Sequence, residues 1–134
     1  MTARRGSVRR EVRIEAAADD VWAVVGAAGR LAEWFPGIVA CSVEGDLRTV
    51  TTASGLTLPE RILTCDRLQR RFQYRITAPF FVEHTSTIDV LDLGDGSCLA
   101  AYSVDAEPSV MALVIGGAGG NALANLKRLV EGAP

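Results

Sequence analysis

From Gly37 to Glu107 the chain reads as strand and tight turn almost without interruption, and a single longer helical pattern then closes it. Two short helical patterns stand near the N-terminus. This order constrains the fold more than any other feature. A curved antiparallel sheet cannot bury its whole concave face under one helix, so the space between them must be filled by side chains or stay open. Aromatic residues make up only 6% of the chain, which leaves little to fill it. An internal small-molecule pocket is therefore the first expectation.

The elements follow from periodicity. Residues 8–15 alternate, with Val8, Val12 and Ile14 on one face and Arg9, Glu11 and Arg13 on the other, which predicts a half-buried strand. Asp19 or Asp20 offers an N-cap to a helix carrying Val21, Trp22, Val24 and Val25. A second short helix is expected over about residues 30–34, stopped by Pro36-Gly37. Strands follow over 38–44, 47–53 and 56–66, the last two flanking a Ser54-Gly55 hairpin turn. Phe72, Tyr74 and Ile76 alternate with Arg71, Gln73 and Arg75 to give a two-faced strand, and residues 82–91 and 98–106 flank a Gly94-Asp95-Gly96 turn. A helix from about Pro108 carries Leu123, Leu126, Leu129 and Val130, with Lys127 and Arg128 near its C-terminal end, where cations suit the dipole. Hairpin links make most of these strands antiparallel. The expected class is α+β: a curved seven-stranded antiparallel sheet wrapped around a long C-terminal helix, with two short helices after the first strand. Residues 1–134 form one domain, with 1–7 expected to be flexible.

Composition excludes several functions. At 134 residues the chain is long enough for a real core, and 49% hydrophobic with 22% charged residues suits a globular protein. A net charge of -2 gives no basic field for nucleic acid. The basic start, MTARRGSVRR, has no apolar run behind it and does not read as a secretory signal. The apolar stretch 110–124 is short and glycine-rich for a membrane span. Three isolated cysteines, Cys41, Cys65 and Cys98, fit reduced cytoplasmic thiols, and no spacing suggests a metal. Within the last helix, Gly117, Gly119 and Ala122 imitate a dinucleotide-binding GxGxxA. No second strand follows and no acidic residue stands about 20 positions on, as a βαβ unit would require, so no cofactor is expected. The glycines of this stretch either remove side chains from a cavity or let the helix approach the sheet closely; the sequence leaves both open.

Strand alternation assigns the inward residues. They are Phe72, Tyr74 and Ile76; Ile88 and Val90, with Ser86 and His84 on the same face; Tyr102 and Val104, with Ala100; and, across the hairpin, Arg48, Val50 and Thr52 with Glu60 and Ile62. Val114, Ala118 and Ala122 would form the helix wall, and Trp34 with Phe35 would cap the mouth. Arg48 and Glu60 would sit close on paired strands, as a structural ion pair or as ligand anchors. His84, the single histidine, could line the pocket through hydrogen bonds or serve as an acid/base near neutral pH. His84 and Ser86, two apart on one strand with no third group, give no hydrolase signal.

The segments VWAVVGAAGRLAEWFPGI (21–38), LRTVTTASGLTLPERIL (47–63), RRFQYRI (70–76), EHTSTIDVLDLGDGS (83–97) and NALANLKRLVE (121–131), in this order, resemble the START-like or Bet v 1-like (helix-grip) superfamily. More narrowly they resemble the bacterial polyketide cyclase/dehydrase and lipid-transport family. Ser54-Gly55-Leu56, Glu60 and Arg48 also match the gate and two cavity residues of plant abscisic-acid receptors in that superfamily, whereas Val39, Ala100 and Ala122 depart from it, so hormone binding is not implied. The resemblance implies reversible binding of a small hydrophobic or aromatic, lipid- or polyketide-like molecule by a monomer or homodimer. The implied ligand-binding set is Trp34, Arg48, Val50, Glu60, Ile62, Phe72, Tyr74, His84, Ser86, Ile88, Tyr102, Val114, Ala118 and Ala122. The alternative is a polyketide cyclase or dehydratase in which His84, Glu60 and Tyr74, with Arg48, move protons in the same cavity. A third reading is an interaction module with a filled core.

Overall fold

A computed structural model describes residues 4–132. Its described residues hold seven strands in one sheet: β1 (Gly6–Ile14), β2 (Ile38–Glu44), β3 (Leu47–Thr52), β4 (Thr57–Asp66), β5 (Arg71–Ile76), β6 (Glu83–Asp92) and β7 (Cys98–Glu107). The order across the sheet is β1-β7-β6-β5-β4-β3-β2, and every neighbouring pair is antiparallel. Helix α1 (Ala18–Val25) and a short 3-10 helix (Ala28–Glu33) carry the chain from β1 at one edge to β2 at the other. Helix α2 (Ser109–Glu131) ends the fold.

The N-terminal expectations shift slightly. Gly6 and Ser7 pair with Ala106 and Asp105, so β1 begins inside the segment expected to be flexible; residues 1–3 of that segment lie outside the described residues. Ala17, not Asp19 or Asp20, holds the N-cap position of α1. Both aspartates fall in its first turn, where negative charge meets the positive end of the dipole. The second short helix is 3-10 and starts at Ala28, ahead of the expected position.

Helix α2 packs against β1 and β7 and touches α1. It therefore lies over one end of the sheet, not across its middle. By length and composition α2 could cross a membrane, but Ala112, Gly116, Gly119, Ala122, Leu123 and Leu126 form its buried face against the domain, which makes it the core helix. From Ala112 to Ala122 that face is small for a steric reason. A Cβ on Gly116 would stand 2.7 Å from Val8 Cγ1, and one on Gly119 2.9 Å from the Tyr102 ring. The close-approach reading of the glycines holds: they bring the helix onto the sheet. The larger apolar residues Val110, Leu113 and Val114 point outward, and Val114 is 55% exposed. The helix wall assigned to Val114 is thus corrected. The expected wall took Val114, Ala118 and Ala122, a row of small residues four apart, as the inward one; the tight approach at Gly116 and Gly119 instead turns Ala112, Gly116, Gly119 and Ala122 to the sheet and leaves Val114 outside.

These two glycine environments give a contrast. Gly119→Ala is expected to destabilise by about 1–3 kcal/mol through overpacking against Tyr102. Gly117→Ala, where an added Cβ meets nothing within 4 Å, should stabilise by up to about 1 kcal/mol through helix propensity. Urea denaturation of both variants checks the sign of each change.

Candidate binding cavity

Because α2 covers the β1–β7 end, the concave face over β3, β4 and β5 receives other neighbours. A cavity of about 360 Å³ opens there. Its floor is Val50, Leu58, Glu60, Tyr74 and Ile76 from β3, β4 and β5. Leu31, Phe35, Pro36, Gly37 and Ile38 form one rim, and Thr52, Ala53 and Ser54 of the β3–β4 hairpin form the next. Ile115 of α2 stands on the helix side.

Local sequence holds the two rims together. Ala53 N–H donates to Gly37 O at 2.8 Å, which ties the hairpin to the turn before β2. Thr52 Oγ1 accepts from Leu56 N–H at 3.1 Å and lies 2.8 Å from Ser54 Oγ. Gly55 takes φ +89° at the hairpin tip, a conformation costly for residues with a Cβ.

The cavity's one charged lining residue among the described residues is Glu60. Arg48 pairs with it directly across the β3–β4 ladder. Arg48 Nε donates to Glu60 Oε1 at 2.7 Å, and both residues are buried, at 2% and 3% exposure. The distance is that of a charge-assisted hydrogen bond. Arg48 also donates from Nη1 to Ala28 O at 3.2 Å, and its guanidinium carbon lies 5.0 and 4.8 Å from the ring centroids of Phe72 and Tyr74. Nη2 is buried without a hydrogen-bond partner among the described residues. Burial holds the Glu60 carboxyl above its ordinary pKa, against the opposing pull of the Arg48 charge.

His84 occupies a different place. Its Nδ1 accepts the Ile76 N–H at 2.8 Å, and its Nε2 lies 2.8 Å from Ser86 Oγ. An Nδ1 that accepts must be unprotonated, so the neutral ring carries its proton on Nε2 and donates it to Ser86. The β5–β6 pairing ends at Tyr74–Ser86, and the imidazole takes the next main-chain N–H where the strands part. Burial, helped by the Arg75 charge, lowers the His84 pKa to about 4. Tyr74 and Tyr102 share a hydrogen bond through their hydroxyls. Burial pushes Tyr74 up to about 12, so it stays a neutral phenol on the cavity floor.

Of the residues expected to contact ligand, Val50, Glu60 and Tyr74 line the cavity. Arg48 stands behind Glu60. Phe72, Ile88 and Tyr102 were expected around the void and instead pack in the core, as does Ala122. His84 and Ser86 are buried in their own network, and Trp34 is buried while its neighbour Phe35 reaches the rim. Ile62 and Ala118 are half-buried and do not line the cavity. The rim residues Leu31, Pro36, Gly37 and Ile38, the hairpin residues Ala53 and Ser54, and Leu58, Ile76 and Ile115 line the cavity without having been in the expected set. Thr52, Phe35 and Ile76 had been placed inward or at the mouth, so the signal existed for them. Ile115 follows Val114, and a one-residue change of helix phase finds it.

A curved antiparallel sheet gripping a C-terminal helix, with a cavity between them, defines the START-like or Bet v 1-like superfamily of helix-grip proteins. The family model for polyketide cyclase / dehydrase and lipid transport matches residues 5–131, and the chain belongs to that family. No curated protein matches the chain. Among solved structures it is similar to XoxI from Bacillus cereus (21% identity, TM-score 0.87, covering 93% of this chain and 95% of that one). It is also similar to norcoclaurine synthase from Thalictrum flavum in complex with dopamine and hydroxybenzaldehyde (19% identity, TM-score 0.76, covering 97% and 88%). The di-domain ARO/CYC BexL from the BE-7585A biosynthetic pathway gives 17% identity and a TM-score of 0.80, covering 96% of this chain and 48% of that one. At these identities the likeness is one of fold.

Proposed function

We propose that this protein reversibly binds a small hydrophobic or aromatic molecule in the cavity between β3–β5 and α2, in the cytoplasm. The observation that carries this reading is a cavity of about 360 Å³ whose walls are mostly apolar and whose charged group sits at its floor. That volume lies within the range of small-molecule sites. Burial of apolar ligand surface would supply affinity at about 25 cal/mol per Å². The cyclase alternative would draw on Glu60 and Tyr74, the lining groups that can exchange protons. It loses support from His84, whose two ring nitrogens are engaged away from the cavity.

A neutral fluorescent probe, N-phenyl-1-naphthylamine, tests the reading. It should bind the wild-type protein saturably. Ile115→Trp, which projects an indole into the cavity from the helix side, should weaken it at least about tenfold, the loss of roughly 1.4 kcal/mol. Val110→Trp, on the exposed face of α2, should leave binding unchanged. Equal weakening by both variants, or by neither, would place the probe elsewhere.

A further inference from the structure

The polar chemistry of the cavity floor is asymmetric. Glu60 Oε1 is taken by Arg48 Nε, while Glu60 Oε2 has no hydrogen-bond partner among the described residues. Oε2 is not among the sealed, partnerless atoms, whereas Arg48 Nη2 is. The acceptor therefore opens to the cavity that Glu60 lines, and the spare cationic donor stays behind it among Phe72 and Tyr74. Other polar lining side chains are hydroxyls: Tyr74 OH engages Tyr102, and Thr52 and Ser54 engage each other at the hairpin rim.

From this arrangement, and resting on the binding function proposed above, we infer that the ligand is an uncharged hydroxyl compound, a phenol or alcohol on an apolar body, that donates its hydroxyl proton to Glu60 Oε2. A carboxylate ligand would bring its charge against the Glu60 carboxylate, with Arg48 on the far side and already paired. An ammonium ligand would leave a second cation beside a carboxylate whose charge Arg48 already balances, in an apolar cavity where an uncompensated charge is costly. A ligand with no donor would enter but leave Oε2 unmet. Fatty acids and amines are thus disfavoured, and hydroxylated aromatic or aliphatic compounds are selected.

Four probes sharing one ring system test this by isothermal calorimetry at neutral pH: 2-naphthol, naphthalene, 2-naphthoate and 2-naphthylmethylammonium. The hydroxyl compound should bind about ten- to a hundredfold more tightly than naphthalene, as expected for a hydrogen bond to a charged acceptor. Both ions should bind more weakly than 2-naphthol by at least as much. The Arg48→Met/Glu60→Leu double variant replaces the buried pair by apolar groups, a change such sites commonly tolerate. It should bind naphthalene at least as tightly as wild type and lose the preference for 2-naphthol. Equal affinity for 2-naphthol and naphthalene, tighter binding of either ion, or a preference that survives in the double variant would overturn the inference while leaving the cavity a binding site. Binding of none of the four would overturn the inference together with the binding function.

Discussion

Glu60→Ala is expected to destabilise the protein by about 3–5 kcal/mol, because it leaves the Arg48 guanidinium buried and unpaired. The fall in Tm should be on the order of 10–20 °C for a domain of this size. Arg48 cannot relieve the loss by reaching solvent. It is 2% exposed, hemmed in by Phe72 and Tyr74, and its Nη1 is already bound to Ala28 O. The Arg48→Met/Glu60→Leu double variant should recover most of the stability, since it removes both charges and keeps the volume. Chemical denaturation of wild type and the two variants measures all three values. A single variant as stable as wild type would mean that the pair is not buried, and the cavity floor would have to be redrawn.

The second large effect is a pH dependence that His84 confers on folding. Its folded pKa of about 4 lies below the ordinary histidine value of about 6.5. Between these values the unfolded chain binds the proton and the folded chain does not. Stability contributed by neutral His84 is therefore fully present above pH ~6.5 and is lost as pH falls towards ~4, to a total on the order of 3 kcal/mol. Glu60 acts in the opposite sense, because burial raises its pKa, so wild type alone does not isolate the histidine. The difference between wild type and His84→Gln does, since Glu60 is common to both. At pH 7 the variant should be less stable by about 1–3 kcal/mol, because the glutamine amide cannot reproduce the ring geometry that accepts from Ile76 N–H at Nδ1 while donating to Ser86 from Nε2. The gap should narrow as pH falls from about 6.5 to 4. A gap that stays constant across this window would show that His84 does not titrate with folding.

The same residues show how far sequence reasoning reaches. Strand period is robust because a slip of one residue exchanges the two faces, so Phe72, Tyr74 and Ile76 could be assigned inward, and so could Ile88 with His84. The Arg48–Glu60 pairing rested on a choice of faces for the two hairpin strands: a two-residue Ser54-Gly55 turn would set Arg48 opposite Arg61, whereas the loop spans residues 53–55 and this shift of one sets Arg48 opposite Glu60. Helix α2 was harder. Its apolar residues surround the axis, with Val110, Leu113 and Val114 outside and Leu123 and Leu126 inside, so hydrophobicity gives no unique phase. What decides the phase is the steric fit of Gly116 to Val8 and of Gly119 to Tyr102, contacts between residues about a hundred positions and more than a dozen positions apart that no local pattern encodes. The cavity's position depends on that fit as well. Once α2 settles on β1 and β7, the core aromatics Phe72 and Tyr102 are packed and the open volume falls towards the hairpin and the turn at Pro36-Gly37. His84 looked like a pocket residue because it shares the inward face. Its partner is a main-chain N–H freed where β5 and β6 part, and a sequence does not show where a ladder stops.

Backbone amide shifts of isotope-labelled protein, followed by NMR during titration with 2-naphthol, test the binding site most directly. The proposed cavity predicts saturable shifts concentrated at Leu31–Ile38, at Val50–Glu60, at Tyr74–Ile76 and at Ile115, with little change along β1. Shifts gathered on the exposed α2 residues Val110, Leu113 and Val114, or no saturable shift at any concentration the probe allows, would contradict a ligand bound between the sheet and the helix.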